Sequence, residues 1–146
     1  MKIMENSNIP QSEKAIYTAK THTIGGRDGA SKSSDSKLNV KLSNPGSHGT
    51  GTNPEQMFAG GWSACFIGAM GIAASKMSIK LPIDTSVDAE VDLCRDGDAY
   101  FLQARLNVSL PGIDKDTARL ITDAAHQTCP YSKATRGNIA VEINLL

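Results

Sequence analysis

An α+β fold is predicted by three features of the sequence. One stretch, residues 52–77 (TNPEQMFAGGWSACFIGAMGIAASKM), is long and uncharged across its middle and reads as a central helix. On either side of it, apolar and polar residues alternate in short runs, the pattern of half-buried strands. Turn residues join these runs into hairpins rather than repeated strand–helix units. The predicted order is therefore ββαββαβ, with antiparallel sheets around a buried central helix.

Residues 1–14 are polar, contain Pro10 and show no period, so a flexible N-terminal arm is expected there. Residues 15–146 are expected to form a single domain. Residues 16–23 (IYTAKTHT) alternate loosely and suit a first strand. It ends at Gly25-Gly26-Arg27-Asp28-Gly29, a turn whose glycines accept positive φ. Leu38, Val40 and Leu42 mark a second strand, expected to pair with the first, and residues 43–51 form a loop.

The central helix then opens with either Asn53 as N-cap and Pro54 at the first helical position, or Thr52 in a capping box with Glu55. Between Gln56 and Ser75 it has no charged side chain, which predicts burial on nearly every side. Such a run is also long enough to span a membrane. Its Gly, Ala and Ser content and the lack of a basic flank favour a buried soluble helix. A small sheet does not cover such a helix alone, and the simplest cover is a second copy, so an obligate homodimer is predicted.

Past Pro82, Val87, Ala89, Val91 and Leu93 alternate with acidic residues, and residues 95–98 (RDGD) make a turn. Leu102, Ala104, Leu106, Val108 and Leu110 continue the alternation, which predicts a hairpin closed by Pro111-Gly112. Asp114 caps a second helix to about Thr128, with Thr117, Ile121, Ala125 and Cys129 along one stripe and Pro130 as its stop. Ile139, Val141, Ile143 and Leu145 form the last strand.

Composition narrows the function classes. Lys plus Arg (15) equals Asp plus Glu (15), so there is no basic stripe for nucleic acid. Three cysteines without a CxxC pair disfavour a secreted disulfide framework or a structural zinc site, and a cytoplasmic location is expected. His22, His48 and His126 share no metal-ligand spacing. The glycines at 46, 49 and 51 precede a helix but lack the Lys-Ser/Thr of a phosphate-binding loop.

Cys65 and Cys129 each have two readings. A cysteine among Ala, Gly and Phe is a small hydrophobe, or it is a reactive thiol if a cation or helix N-terminus stabilises its thiolate. The glycine turn can project Arg27 inward, where the guanidinium keeps its charge. Glu55 can hold that guanidinium through a bidentate pair, or serve simply in a helix start. On one continuous helix, ten residues place Glu55 about 15 Å from Cys65, so either the helix breaks at Gly60-Gly61, the favoured reading, or the chain before it folds back. His126, three residues before Cys129, leaves open a Cys–His hydrolase pair. Cys94, at a strand end, has no evident partner.

Four runs resemble one family: GGRDG (25–29), TNPEQMFAGGWSACFIGA (52–69), NVSLPG (107–112) and DAAHQTCPYSKATRGNI (123–139). They are similar to the organic hydroperoxide resistance proteins of the OsmC/Ohr superfamily, and the likeness extends from about Tyr17 to the C-terminus. The resemblance implies an OsmC/Ohr-like fold, an intertwined homodimer with sites between subunits, and a cytoplasmic thiol peroxidase. It implies Cys65 as peroxidatic cysteine, Cys129 as resolving cysteine, and Arg27 with Glu55 as the activating pair. The oxidised enzyme would be recycled by a dithiol such as dihydrolipoamide, carried on lipoylated proteins. No cofactor or metal of its own is implied. Met57, Phe58, Phe66 and Ile67 would wall the substrate site and favour alkyl and fatty-acid hydroperoxides. Trp62 stands where the family usually has Tyr, and Cys94 lies outside its pattern. The rival readings are a non-catalytic carrier of an apolar ligand and a Cys-dependent hydrolase using His126.

Overall fold

The computed structural model describes residues 14–146, so the arm expected over 1–14 lies outside the described residues except for Lys14. The chain divides into two compact units at Gly51.

The first unit holds three antiparallel strands in the order β1 (Thr21–Ile24), β2 (Ala30–Ser33) and β3 (Asn39–Lys41). The first strand begins later than the sequence suggests, and it does not pair with the 38–42 strand. β2 intervenes and pairs with both. Its sequence, ASKS, has no apolar alternation, so nothing in its pattern marks it as a strand. Between β1 and β2 the chain makes a short 3-10 turn at Gly26–Asp28, entered through Gly25 at φ 71°. A Cβ on Gly29 would lie 1.8 Å from the Ile24 carbonyl oxygen, so this turn closes only with glycine there.

The second unit comprises α1 (Pro54–Lys76), β4 (Ser86–Asp96), β5 (Ala99–Ser109), α2 (Lys115–Thr128), α3 (Pro130–Thr135) and β6 (Ala140–Leu145). Asn53 is the cap of α1: its side chain accepts from the Gln56 N–H at 2.8 Å, while the Thr52 hydroxyl turns to the Gln56 side chain. Asp114 caps α2 by accepting from the Thr117 N–H at 3.0 Å. The β4–β5 hairpin is antiparallel over eleven paired positions, from Ser86↔Ser109 to Asp96↔Ala99. β6 runs parallel to β5, which corrects the expectation of purely antiparallel sheets. The helical crossover of α2 and α3 returns the chain to the same end of the sheet, and that connection makes parallel pairing possible.

α1 packs against β4, α2 and α3. Its buried residues are Trp62, Phe66, Ala69, Met70, Ala73 and Ala74, spaced as one helical stripe. They meet Ala104, Leu106 and Val108 of β5 and Ala118, Ile121 and Ala125 of α2 in one core. Each large side chain enclosed there contributes on the order of 1.5–3 kcal/mol. Burial on nearly every side is therefore not what this chain achieves by itself: Ile72, off the stripe, is 60% exposed. By length and composition α1 would also cross a bilayer, but this stripe is committed to the core.

The sheet's other face is polar. Arg105 on β5 donates from Nη1 to Asp92 at 2.8 Å and from Nε to Glu90 at 3.0 Å. Arg105 and the amide of Gln103 hold the Asp92 carboxyl down at about 2. This pairing favours the fold above the ordinary carboxylate range and is lost as pH falls from about 4 toward 2. Arg105→Met should return Asp92 toward about 3.9, read by NMR titration of its carboxyl carbon.

Candidate active site

The site forms where two helices end and begin. Pro130 disfavours helical backbone at the residue before it, and Cys129 accordingly adopts φ −59° and ψ 123°. Cys129 closes α2 through its N–H to the Ala125 carbonyl (2.8 Å) and opens α3 by accepting from the Lys133 N–H (2.9 Å). Proline is tolerated at a first helical position because no N–H is needed there. Reading Pro130 only as a stop therefore misses α3.

At this junction the Cys129 thiol is fully enclosed and its Sγ lies 3.4 Å from Cys65 Sγ. Both thiols are free. Cys65 is half-buried on α1, between the enclosed Trp62 and Phe66. Two cysteines separated by 64 residues thus meet with their sulfurs in contact. A disulfide needs about 2.05 Å, so a small movement suffices to join them.

Three influences act on the Cys65 thiol. Burial pushes it above its ordinary value, the backbone N–H of Tyr131 bonds the sulfur and draws it down, and the adjacent Cys129 raises it. The net direction is upward, so a thiolate here calls for a further positive charge.

Aromatic packing joins α1 to α3, the two helices that bring the pair together. Phe58 meets Trp62 edge-on with centroids 5.6 Å apart, and meets Tyr131 at 5.8 Å. The indole N–H of Trp62 donates to the Ser132 hydroxyl at 3.3 Å. Gly61 leaves room for the Tyr131 ring, since a Cβ there would lie 2.8 Å from the phenol oxygen.

That last contact explains why the break expected at Gly60-Gly61 is absent. α1 runs continuously from Pro54 to Lys76. Glycine weakens a helix by about 1 kcal/mol without breaking it, and Gly61 serves close packing instead. Glu55 in the first turn therefore stands about 15 Å along the same helix from Cys65. Arg27 is half-buried in the 3-10 turn of the first unit. Of the expected wall residues, Met57, Phe58 and Ile67 are half-buried, whereas Phe66 is fully enclosed in the core.

His126 does not act on Cys129 through Nδ1, which is buried without a hydrogen-bond partner among the described residues. Burial and the nearby Arg136 charge push its pKa down, which favours the neutral ring. Its backbone carbonyl accepts from Arg136, which ties the end of α3 to the end of α2. Cys94 lies on β4 opposite Phe101. The residues that sequence reasoning missed are Trp62 as a donor, the Tyr131 amide and Ser132. The available signals were a proline suited to open a helix and a buried indole in need of an acceptor.

Residues 46–144 match the family model described as OsmC-like protein. An organic hydroperoxide resistance protein of Xanthomonas axonopodis pv. citri is 46% identical over 137 residues, covering 91% of this chain and 96% of that one. The organic hydroperoxide resistance protein OhrB of Bacillus subtilis is 40% identical over 136 residues, covering 90% and 98% respectively. The crystal structure of that Bacillus subtilis protein superposes with a TM-score of 0.85, covering 90% of this chain and all of the other.

Proposed function

The chain belongs to the OsmC-like family, among its organic hydroperoxide resistance proteins, and from that premise we propose that it is a thiol peroxidase reducing alkyl and fatty-acid hydroperoxides to alcohols. The observation that supports this most is the 3.4 Å approach of an enclosed Cys129 thiol to Cys65. In this reading the Cys65 thiolate attacks the distal oxygen of ROOH and the O–O bond breaks. The alkoxide leaves and takes a proton as alcohol, while the sulfur, oxidised by two electrons, becomes a sulfenic acid. The Tyr131 N–H helps hold the attacking sulfur anionic. Cys129 then attacks the Cys65 sulfur, an S–S bond forms and water departs. A dithiol such as dihydrolipoamide, free or on a lipoylated protein, restores both thiols by exchange. Met57, Phe58 and Ile67 offer apolar surface for the alkyl chain. The cycle needs no metal or flavin in the protein, and three free thiols suit a reducing, cytoplasmic setting.

Arg27 supplies the missing positive charge in this proposal, held by Glu55. One guanidinium cannot touch both Glu55 and Cys65 of the same unbroken helix, about 15 Å apart. The pair from one copy therefore serves Cys65 of the other, in a homodimer that also covers the exposed side of α1. Refolding Cys65→Ser chains together with Arg27→Met chains tests this. A mixed dimer regains one intact site and about a quarter of native activity if half the dimers are mixed. Activity staying at the level of the separate variants would refute sharing between copies.

The assay for the function is steady-state loss of tert-butyl or fatty-acid hydroperoxide with dihydrolipoamide or with glutathione. Turnover with the dithiol and little with glutathione is expected; no turnover with either would refute the proposal.

A further inference from the structure

We propose that Trp62 and Ser132 form a positioning pair that holds Cys129 at closing distance, and so decides between disulfide formation and over-oxidation of Cys65. This inference rests on the peroxidase reading and adds to it the control of the second step.

Both side chains are fully enclosed, and the indole N–H reaches the Ser132 hydroxyl at 3.3 Å. An indole nitrogen is a donor only, so a buried one without an acceptor carries an uncompensated desolvation cost. Ser132 is the acceptor that α3 brings to it. The two ends of the bond sit close to the two sulfurs in sequence: Trp62 is three residues before Cys65, and Ser132 three after Cys129. The same contact face includes Phe58 against Tyr131, and Tyr131 over Gly61.

α3 has six residues, too short to persist as a helix without docking. Its first turn is docked by this hydrogen bond and by the Tyr131 packing, and Cys129 is its N-cap. The location of the Cys129 sulfur therefore follows the seating of α3 on α1. A sulfenic acid has two competing fates: attack by a nearby thiol, or oxidation by a second peroxide to sulfinic acid. The first depends on near-attack geometry, the second on peroxide concentration. Loosening α3 slows the first more than the second, because only the first needs the two sulfurs in contact.

Trp62→Phe keeps an aromatic ring and removes the donor, whereas Ser132→Ala removes the acceptor. Rapid-quench mass spectrometry at a fixed excess of cumene hydroperoxide reads two quantities: the rate of the first Cys65 oxidation, and the ratio of sulfinic acid to disulfide. In each single variant the ratio should rise about three- to tenfold, the worth of one hydrogen bond, while the first rate, which reads the Tyr131 N–H on the same turn, falls by a smaller factor. The double variant should show no larger ratio than the worse single one, because both changes break the same bond. An unchanged ratio in the single variants, or effects that multiply in the double, overturns the inference. If Trp62→Phe does not fold, Ser132→Ala alone decides, with Trp62 as the single tryptophan reporting its surroundings by emission wavelength. Native protein forming no disulfide would sink the peroxidase reading and this inference together. Native protein forming it, with variants that partition identically, would sink only this one.

Discussion

Cys65→Ser should reduce hydroperoxide turnover by about 10³-fold or more, to the uncatalysed background. Sulfur is the atom that takes up the peroxide oxygen, and a serine hydroxyl is neither ionised near neutral pH nor able to form the sulfenic acid. The exchange changes one atom at a half-buried position on a continuous helix, with six enclosed residues holding that helix in place. The fold should survive, so near-native thermal unfolding together with lost turnover marks a chemical defect. Residual activity within tenfold of native would move the peroxidatic role elsewhere, with Cys94 the first position to examine.

Cys129→Ser should divide the cycle. The first oxidation of Cys65 proceeds, consuming one equivalent of hydroperoxide, and no intramolecular disulfide follows. Steady-state turnover with dihydrolipoamide should fall by about tenfold or more, because the reductant must now reach a sulfenic acid instead of exchanging with a disulfide. Sulfinic acid should accumulate on Cys65, detected by mass spectrometry as two added oxygens. The substituted hydroxyl would be enclosed, at a cost of about 1–3 kcal/mol if unpaired. Cys129→Ala avoids that cost and should behave alike in the assay. Failure to find sulfinic acid on Cys65 in either variant would contradict the division of roles.

How legible the fold was depended on where apolar periodicity exists. The β4–β5 hairpin alternates over its whole length and its register matches that alternation. α1 announces itself by its cap and its uncharged run, and α2 by Asp114. β2 was invisible because Ala30–Ser33 is a polar strand held by its neighbours' backbones. α3 was hidden because Pro130 both ends one helix and begins another. The direction of β6 depends on how that double helix returns the chain, which no local pattern encodes.

For the site, the two cysteines and the runs around them were readable, and the family resemblance implied that they pair, but no local pattern encodes how they meet. Contact between residues 65 and 129 arises from the kink at Cys129 and the docking of α3. The glycine pair misled in an instructive way. Gly60-Gly61 looked like a helix break, and Gly61 is instead the space into which Tyr131 packs. The roles of Trp62 and Ser132 follow from hydrogen-bond bookkeeping in an enclosed space, which only coordinates supply.

The two-thiol cycle is tested most directly by peptide mapping under non-reducing conditions after adding one equivalent of organic hydroperoxide to the reduced protein. One linked species joining the peptides of Cys65 and Cys129 is predicted, with Cys94 still alkylated as a free thiol. A map in which Cys65 and Cys129 remain free, or in which Cys65 is joined to Cys94, would contradict it.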